Sequence, residues 1–408
     1  MAVRHGYGKI AGADALVFAY DTGDTKNSYK GEPTENIVST MGYAGFYGTS
    51  PALTQLGPDH YRLSVGGHNS GLYYSMGVQT GTWTMSYDYK AIQGDPFLGG
   101  HVDGSYVAFY VDGVQANSSS TVGNLRSIAN DGEWHRIHRV VANTNSTRNG
   151  GIFIQITRGG AASYPAIAEI RNVQIENKTK PTQYAGPSGT RSATQGLLDL
   201  TGNSSIDLTN AGFDSNAQID FDGTDDYIIA GEEQFRFGNT FSLEFIMDWD
   251  GVDHTNDNLL GKRNGPDDGY AQYSVFVNNG NQYSGGTGKV LSFFGRTDGA
   301  NGDVFMTYDL GSTTGYRHVC ITVGSSSQSM YVNGVEVDTS NTNLAGRTYN
   351  ITAGGARDFL IGAVRDNLGT GILNAANIDI PVVKAYNRSL TPAEVKNNYN
   401  NYKSRFII

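Results

Sequence analysis

One stretch, residues 316–338 (YRHVCITVGSSSQSMYVNGVEVD), limits what this chain can become more than any other. Val319, Ile321 and Val323 alternate with His318, Cys320 and Thr322, the two-residue period of a half-buried strand. After a serine-rich turn, Met330-Tyr331-Val332 and Val335-Glu336-Val337 flank Asn333-Gly334, a dipeptide that favours a two-residue hairpin turn with positive φ. The stretch therefore predicts a three-strand meander in the middle of an antiparallel sheet.

The rest of the chain repeats the same theme. The 54 glycines have no collagen period, and with only 10 prolines they read as turn residues between many short strands. Residues 73–78, 83–89, 106–111, 134–141 and 151–157 are aromatic or β-branched runs bounded by Gly, Asp, Asn or Ser. Further on, 217–221, 227–229, 241–249, 270–277, 290–294, 304–308, 359–361 and 378–386 do the same. In 241–249, Phe241, Leu243, Phe245, Met247 and Trp249 take one face, while Ser242, Glu244, Ile246 and Asp248 take the other. Crossover helices are missing, so antiparallel sandwiches are expected rather than a βαβ fold.

A chain of 408 residues suits two such domains of about 200 residues each. Pro181, Pro187 and Gly189 in the small, polar segment 177–202 place the boundary near Gly186. The expected division is a leader or arm over 1–40, a first β-sandwich over 41–186 and a second over 187–408. One short helix is predicted at the C-terminus. Thr391 caps it, Pro392 fits its first turn and Glu394 completes a capping box. Val395, Tyr399, Tyr402 and Phe406 then form one apolar stripe. Asparagines at 397, 398, 400 and 401 weaken its intrinsic propensity, so packing must hold it.

Composition also excludes partners. A net charge of −10 argues against a backbone-driven nucleic-acid binder and against an anionic membrane surface. No run approaches the ~20 apolar residues that span a bilayer, and residues 1–20 lack a signal-peptide pattern. One cysteine excludes an intramolecular disulfide framework, and synthesis in the cytosol is the expectation. The Asn-x-Ser/Thr triplets at Asn117, Asn145 and Asn387 then read as polar turns.

The segments FSLEFIMDWDG, LLGKRN, YRHVCITV, MYVNGVEV, FLIGA and VVKAYNRSLTPAEVKNNYNNY stand in the order found in laminin-G-like, concanavalin-A-like domains. From about Gly196 to the end the chain resembles that superfamily, most specifically in Asn387-Arg388, Leu390-Thr391-Pro392 and Glu394. The first half resembles, less strongly, carbohydrate-module-like sandwiches of virion fibres. ALVFAYDTGDTKNSYKG and AEIRNVQIENKTKPTQYAG are similar to segments of tailed-phage structural proteins. Together the resemblances imply an all-β, jelly-roll or concanavalin-A-like protein.

Two candidate binding sites stand out, and two further groupings bear on catalysis. In DFDGTDD, Asp220, Asp222, Asp225 and Asp226 offer the oxygen donors that calcium requires, although Asp and Gly are also ordinary turn residues. No cofactor is required by any motif, and calcium is the cation those acids suit. In RNGPDDGYAQY, Arg263, Asp267, Asp268, Tyr270 and Tyr273 combine rings that stack on sugars with groups that bond hydroxyls. Chemistry is not expected. His318 and Cys320 are an i,i+2 pair without a nearby acid, and Cys320 reads as a small buried hydrophobe. Glu244 and Asp248 stand four strand residues apart, about 13 Å, too far for a retaining glycosidase pair.

The expected role is a non-enzymatic structural protein of a tailed-phage virion, in capsid decoration, neck, tail or baseplate. It would be made in the host cytoplasm and built into the particle as a homo-oligomer beside other virion proteins. The alternative is a glycan-binding module that attaches to a host-surface polysaccharide. Neither role involves nucleic acid or membrane insertion.

Overall fold

The computed structural model describes residues 12–37, 45–47, 52–66, 71–78, 81–96, 105–117, 131–143, 149–155, 163–186, 189–262, 272–281, 286–297, 303–349, 358–365 and 371–408. The chain forms two compact units. One comprises Met1–Glu32, Ala193–Asp214 and Gln218–Ile408, the other Pro33–Ser192 and Ser215–Ala217. Both are antiparallel β-structures, and the described residues contain one α-helix, at the C-terminus.

In the first unit two six-stranded sheets face each other. The first sheet runs Leu16–Asp21, Val382–Tyr386, Phe241–Trp249, Gly315–Val323, Gln328–Val332, Val335–Ser340. The second runs Ile228–Ile229, Leu360–Ile361, Asp257–Lys262, Gln272–Asn278, Val290–Arg296, Val304–Asp309. Phe241 pairs with Val323 and Trp249 with Gly315, so the alternating apolar sets of both strands share the inner face. There they meet Tyr273, Val275, Val277, Leu291, Phe293 and Met306 in one core. The expected meander is present, with Asn333 at φ 52° and Gly334 at φ 70°. At these positive angles a β-branched residue would be strained, which is why Asn-Gly stands there.

Two strands expected to be half-buried are covered on both faces. His318 and Cys320 are as inaccessible as Val319 and Ile321, and Ser242, Glu244 and Ile246 as inaccessible as Leu243 and Phe245. The reason is the helix Pro392–Phe406, which lies over the outer face of the first sheet: Val395 packs with Cys320 and Tyr386, and Tyr402 and Phe406 pack with Ile246 and Val382. Its capping box forms as expected, the Thr391 hydroxyl accepting from the Glu394 backbone and the Glu394 carboxylate accepting from the Thr391 N–H at 2.8 Å. The buried stripe differs in one place. Asn398 is buried where Tyr399 was expected, because its amide donates to Glu244 Oε2 at 3.0 Å.

The segment read as a leader contributes a strand to this unit. Leu16–Asp21 pairs with Val382–Tyr386, and Asp21 is ion-paired with Arg405 of the helix.

The second unit has a seven-stranded sheet, in the order Ala52–Gly57, His60–Val65, Ser163–Glu176, Gly81–Asp95, His135–Asn143, Ser105–Val111, Val114–Asn117. A three-stranded sheet of Asn149–Gln155, Gly71–Val78 and Gly45–Tyr47 accompanies it. Its core takes Leu63, Trp83, Met85, Tyr87, Tyr89, Ile137 and Ile170, every second residue of the long strands.

Candidate functional site

Strand ends in the first unit build a cleft of about 530 Å³. Phe241–Trp249 stops there and Gly315–Val323 begins opposite it, so Asp248, Trp249 and Asp250 face Thr314 and Gly315 across one end of the first sheet. Asp220 and Phe221 enter from Ile219–Asp220, and residues 377–379 enter just before Val382–Tyr386. The pieces are tied together. The Asp248 N–H donates to the Asp379 carbonyl at 2.9 Å, and the Phe221 N–H to Asp379 Oδ1 at 3.4 Å. Phe221, Trp249 and Ile378 are buried and form an apolar floor, with the Trp249 indole N–H held by the Gly311 carbonyl at 3.0 Å.

The rim is acidic. Burial, then the neighbouring Asp220, push the Asp379 carboxyl up to about 6. Asp248 is raised by burial against a hydrogen bond from Tyr316, and Asp250 adds to the rise. Asp250 is braced by His254, whose Nε2 lies 3.0 Å from its Oδ1 and whose Nδ1 lies 2.8 Å from Asp257 Oδ2. Burial alone would lower that imidazole, but Asp257 and Asp250 carry it above its ordinary value. The same Asp257 oxygen accepts the Asn377 N–H at 3.0 Å, so one relay fixes both Asp250 and Asn377.

The structure divides the four acids proposed for calcium. Asp222, Asp225 and Asp226 place carboxylate oxygens within 4.8 Å of one another, on a turn whose Gly223 sits against Asn377. Asp220 lines the cleft instead. Asp222 Oδ1 already accepts from the Thr224 N–H at 2.8 Å, and Asp226 Oδ2 from the Asp222 N–H at 3.1 Å. A weak divalent-cation site fits these three groups, but they supply only part of a shell of six to eight oxygens, and water must complete it.

Of the proposed sugar-binding residues, Arg263, Asp267, Asp268 and Tyr270 lie outside the described residues. Tyr273 is a correction: it is 1% exposed inside the core, and its hydroxyl donates to the Phe235 carbonyl at 2.9 Å. Its phase with Val275 and Val277 in Gln272–Asn278 is the sequence signal that would have placed it there. Cys320 is buried, and burial raises its thiol well above the ordinary value, so it is inert as a nucleophile. Glu244 is closed to solvent and accepts from His318, Tyr386 and Asn398, which leaves it no access to a substrate.

The family described as the concanavalin A-like lectin/glucanases superfamily matches residues 222–396. The C-terminal part of the chain is a concanavalin-A-like β-sandwich. The cleft lies at one end of this sandwich, and most of its lining falls within the matched residues. Among solved structures, the botulinum neurotoxin serotype D ligand-binding domain in complex with N-acetylneuraminic acid is similar at 12% identity and a TM-score of 0.38, over 52% of this chain and 49% of that one. The binding domain of Paraclostridial Mosquitocidal Protein 1 is similar at 17% identity and 0.38, over 50% and 49%. A structure of NanB with Optactamide is similar at 16% and 0.32, over 39% and 24%. The chain thus spans about half or less of these solved chains. No curated protein matches. No described helix is long and apolar enough to cross a membrane.

Proposed function

We propose that this protein is a non-catalytic glycan-binding protein and that the cleft at the end of its lectin-like sandwich holds the saccharide. The observation that carries the reading is the accessible polar rim of Asp220, Asp379 and Asn377 around a cleft whose floor is closed by the buried Phe221, Trp249 and Ile378. Sugar hydroxyls donate well to carboxylates and amides, and a few convergent polar groups in a cleft are what orients such a ligand. The family match supports this reading better than the virion structural role expected from the leader-like segments, and it does not bear on phage origin. A cation at the Asp222, Asp225 and Asp226 turn would stiffen the segment packed on Asn377.

A glycan array probed with the full chain, with and without calcium, tests the proposal. Hits are expected, and Asp379→Ala should weaken them about tenfold, the value of one charge-assisted hydrogen bond. An array without hits, or hits indifferent to Asp379→Ala and Asn377→Ala, overturns it.

A further inference from the structure

The second unit carries a surface of a different kind. On the face of its seven-stranded sheet turned away from the core, His60, Arg171, Asp88 and Arg136 stand in register across four neighbouring strands. Arg62, Glu169 and Lys90 form the next row. Trp134, just ahead of His135–Asn143, reaches over these strands. Its ring lies 3.9 Å from the Arg171 guanidinium and meets His60 edge-on at 5.5 Å between centroids. The indole is thereby locked in one orientation and remains half-buried rather than buried.

The cations on this face are not fully consumed by the acids. Asp88 takes Arg136 at 2.9 Å and the Arg171 Nε at 3.2 Å, and Glu169 takes Arg62 and His60. Among the described residues, the terminal nitrogens of Arg171 and Nη1 of Arg62 have no hydrogen-bond acceptor, and the two side chains are 39% and 46% exposed. Within these two rows three arginines and Lys90 stand against Asp88 and Glu169, with Asp59 beside Arg136 at their edge, so basic groups outnumber acids by four to three on a chain whose net charge is −10.

We infer that this face binds an acidic saccharide, its carboxylate on the free nitrogens of Arg171 and Arg62 and its ring against Trp134. A guanidinium matches a carboxylate in a planar, two-bond arrangement, and the indole supplies an oriented aromatic surface beside it. The site is separate from the acidic cleft and has the opposite charge preference.

Calorimetry on the full chain at low salt tests the inference with oligogalacturonate, its methyl ester and dextran sulfate. Oligogalacturonate is expected to bind, the uncharged ester about tenfold more weakly, and Arg171→Ala should lose about as much. Equal binding of acid and ester overturns the proposal, as does binding unchanged by Arg171→Ala. A sulfated polymer that binds as tightly and ignores Arg171→Ala reduces the effect to bulk charge and also overturns it. Circular dichroism checks that the variant is folded. If it is not, Arg62→Gln and the comparison of acid with ester on the unaltered chain decide.

Discussion

Glu244 and Glu169 hold comparable places, each within a central strand and each on the sheet face turned away from its unit's core. Each accepts from a histidine, His318 at 2.8 Å and His60 at 2.9 Å, and each has a basic side chain beside it, Lys384 and Arg62. The difference lies in what covers the partners. Over Glu244 lies the C-terminal helix, so His318 and Lys384 are 0% and 4% exposed; over Glu169 lies no such element among the described residues, and Arg62 is 46% exposed. The same chemistry is structural in one unit and left on display in the other.

The largest expected effect tests the covered cluster. Burial alone would raise the Glu244 carboxyl, but Lys384 first and then His318 hold it down to about 2. Glu244→Gln leaves the buried Lys384 without its counter-charge, and urea unfolding should show a loss of about 3–5 kcal/mol. In the unaltered protein, a folded-state value below the unfolded one gives stability that is present above about pH 4.5 and lost as pH falls through about 2. If the variant unfolds at the same urea concentration as the parent, the helix-covered network contributes nothing.

A middle-sized effect of opposite sign comes from Asp379, a partly buried acid whose strongest charged neighbours are other acids. Its folded-state value of about 6 lies above the ordinary 3.8, so this group withdraws stability as pH rises between those values. Asp379→Asn should raise stability at pH 7 by about 1–2 kcal/mol after solvent screening, with no gain below pH 4. Thermal melts across that range check it, and a pH-independent gain would point to packing instead of charge.

The smallest effect sharpens the contrast. Glu169→Gln removes an acid whose partners reach water, and its cost should stay near about 1 kcal/mol and shrink in high salt. A loss as large as that of Glu244→Gln would show that the open face is as integral to folding as the covered one.

These differences mark how far the sequence could be read. The strand Phe241–Trp249, the Asn333-Gly334 turn and the Thr391 and Glu394 cap are local signals and formed as expected, although the strand is buried on both faces and not on one. The burial of Glu244 was not legible from its own strand, because the residues that enclose it, Lys384 and Asn398, arrive from far along the chain. The cleft was hidden for the same reason. Asp220, Asp248 and Asp379 come together only when three strand ends converge, and only the first had drawn notice as a possible ligand. Of the cluster in DFDGTDD, the acids that share one turn stayed together. Trp134 and Arg171 had no spacing that announced them, since a cross-strand contact follows register and not sequence distance.

The pairing of Leu16 with Tyr386 brings the opening strand of the lectin-like sandwich onto one of its final strands. During synthesis that strand must wait, its hydrogen-bonding edge unmatched, until Val382–Tyr386 has emerged. The second unit, by contrast, is complete once Ser215–Ala217 has followed Pro33–Ser192, so it can settle in the meantime. The sandwich thus closes around Leu16–Asp21 only after Val382–Tyr386 has emerged, about 360 residues of synthesis after its first strand was made.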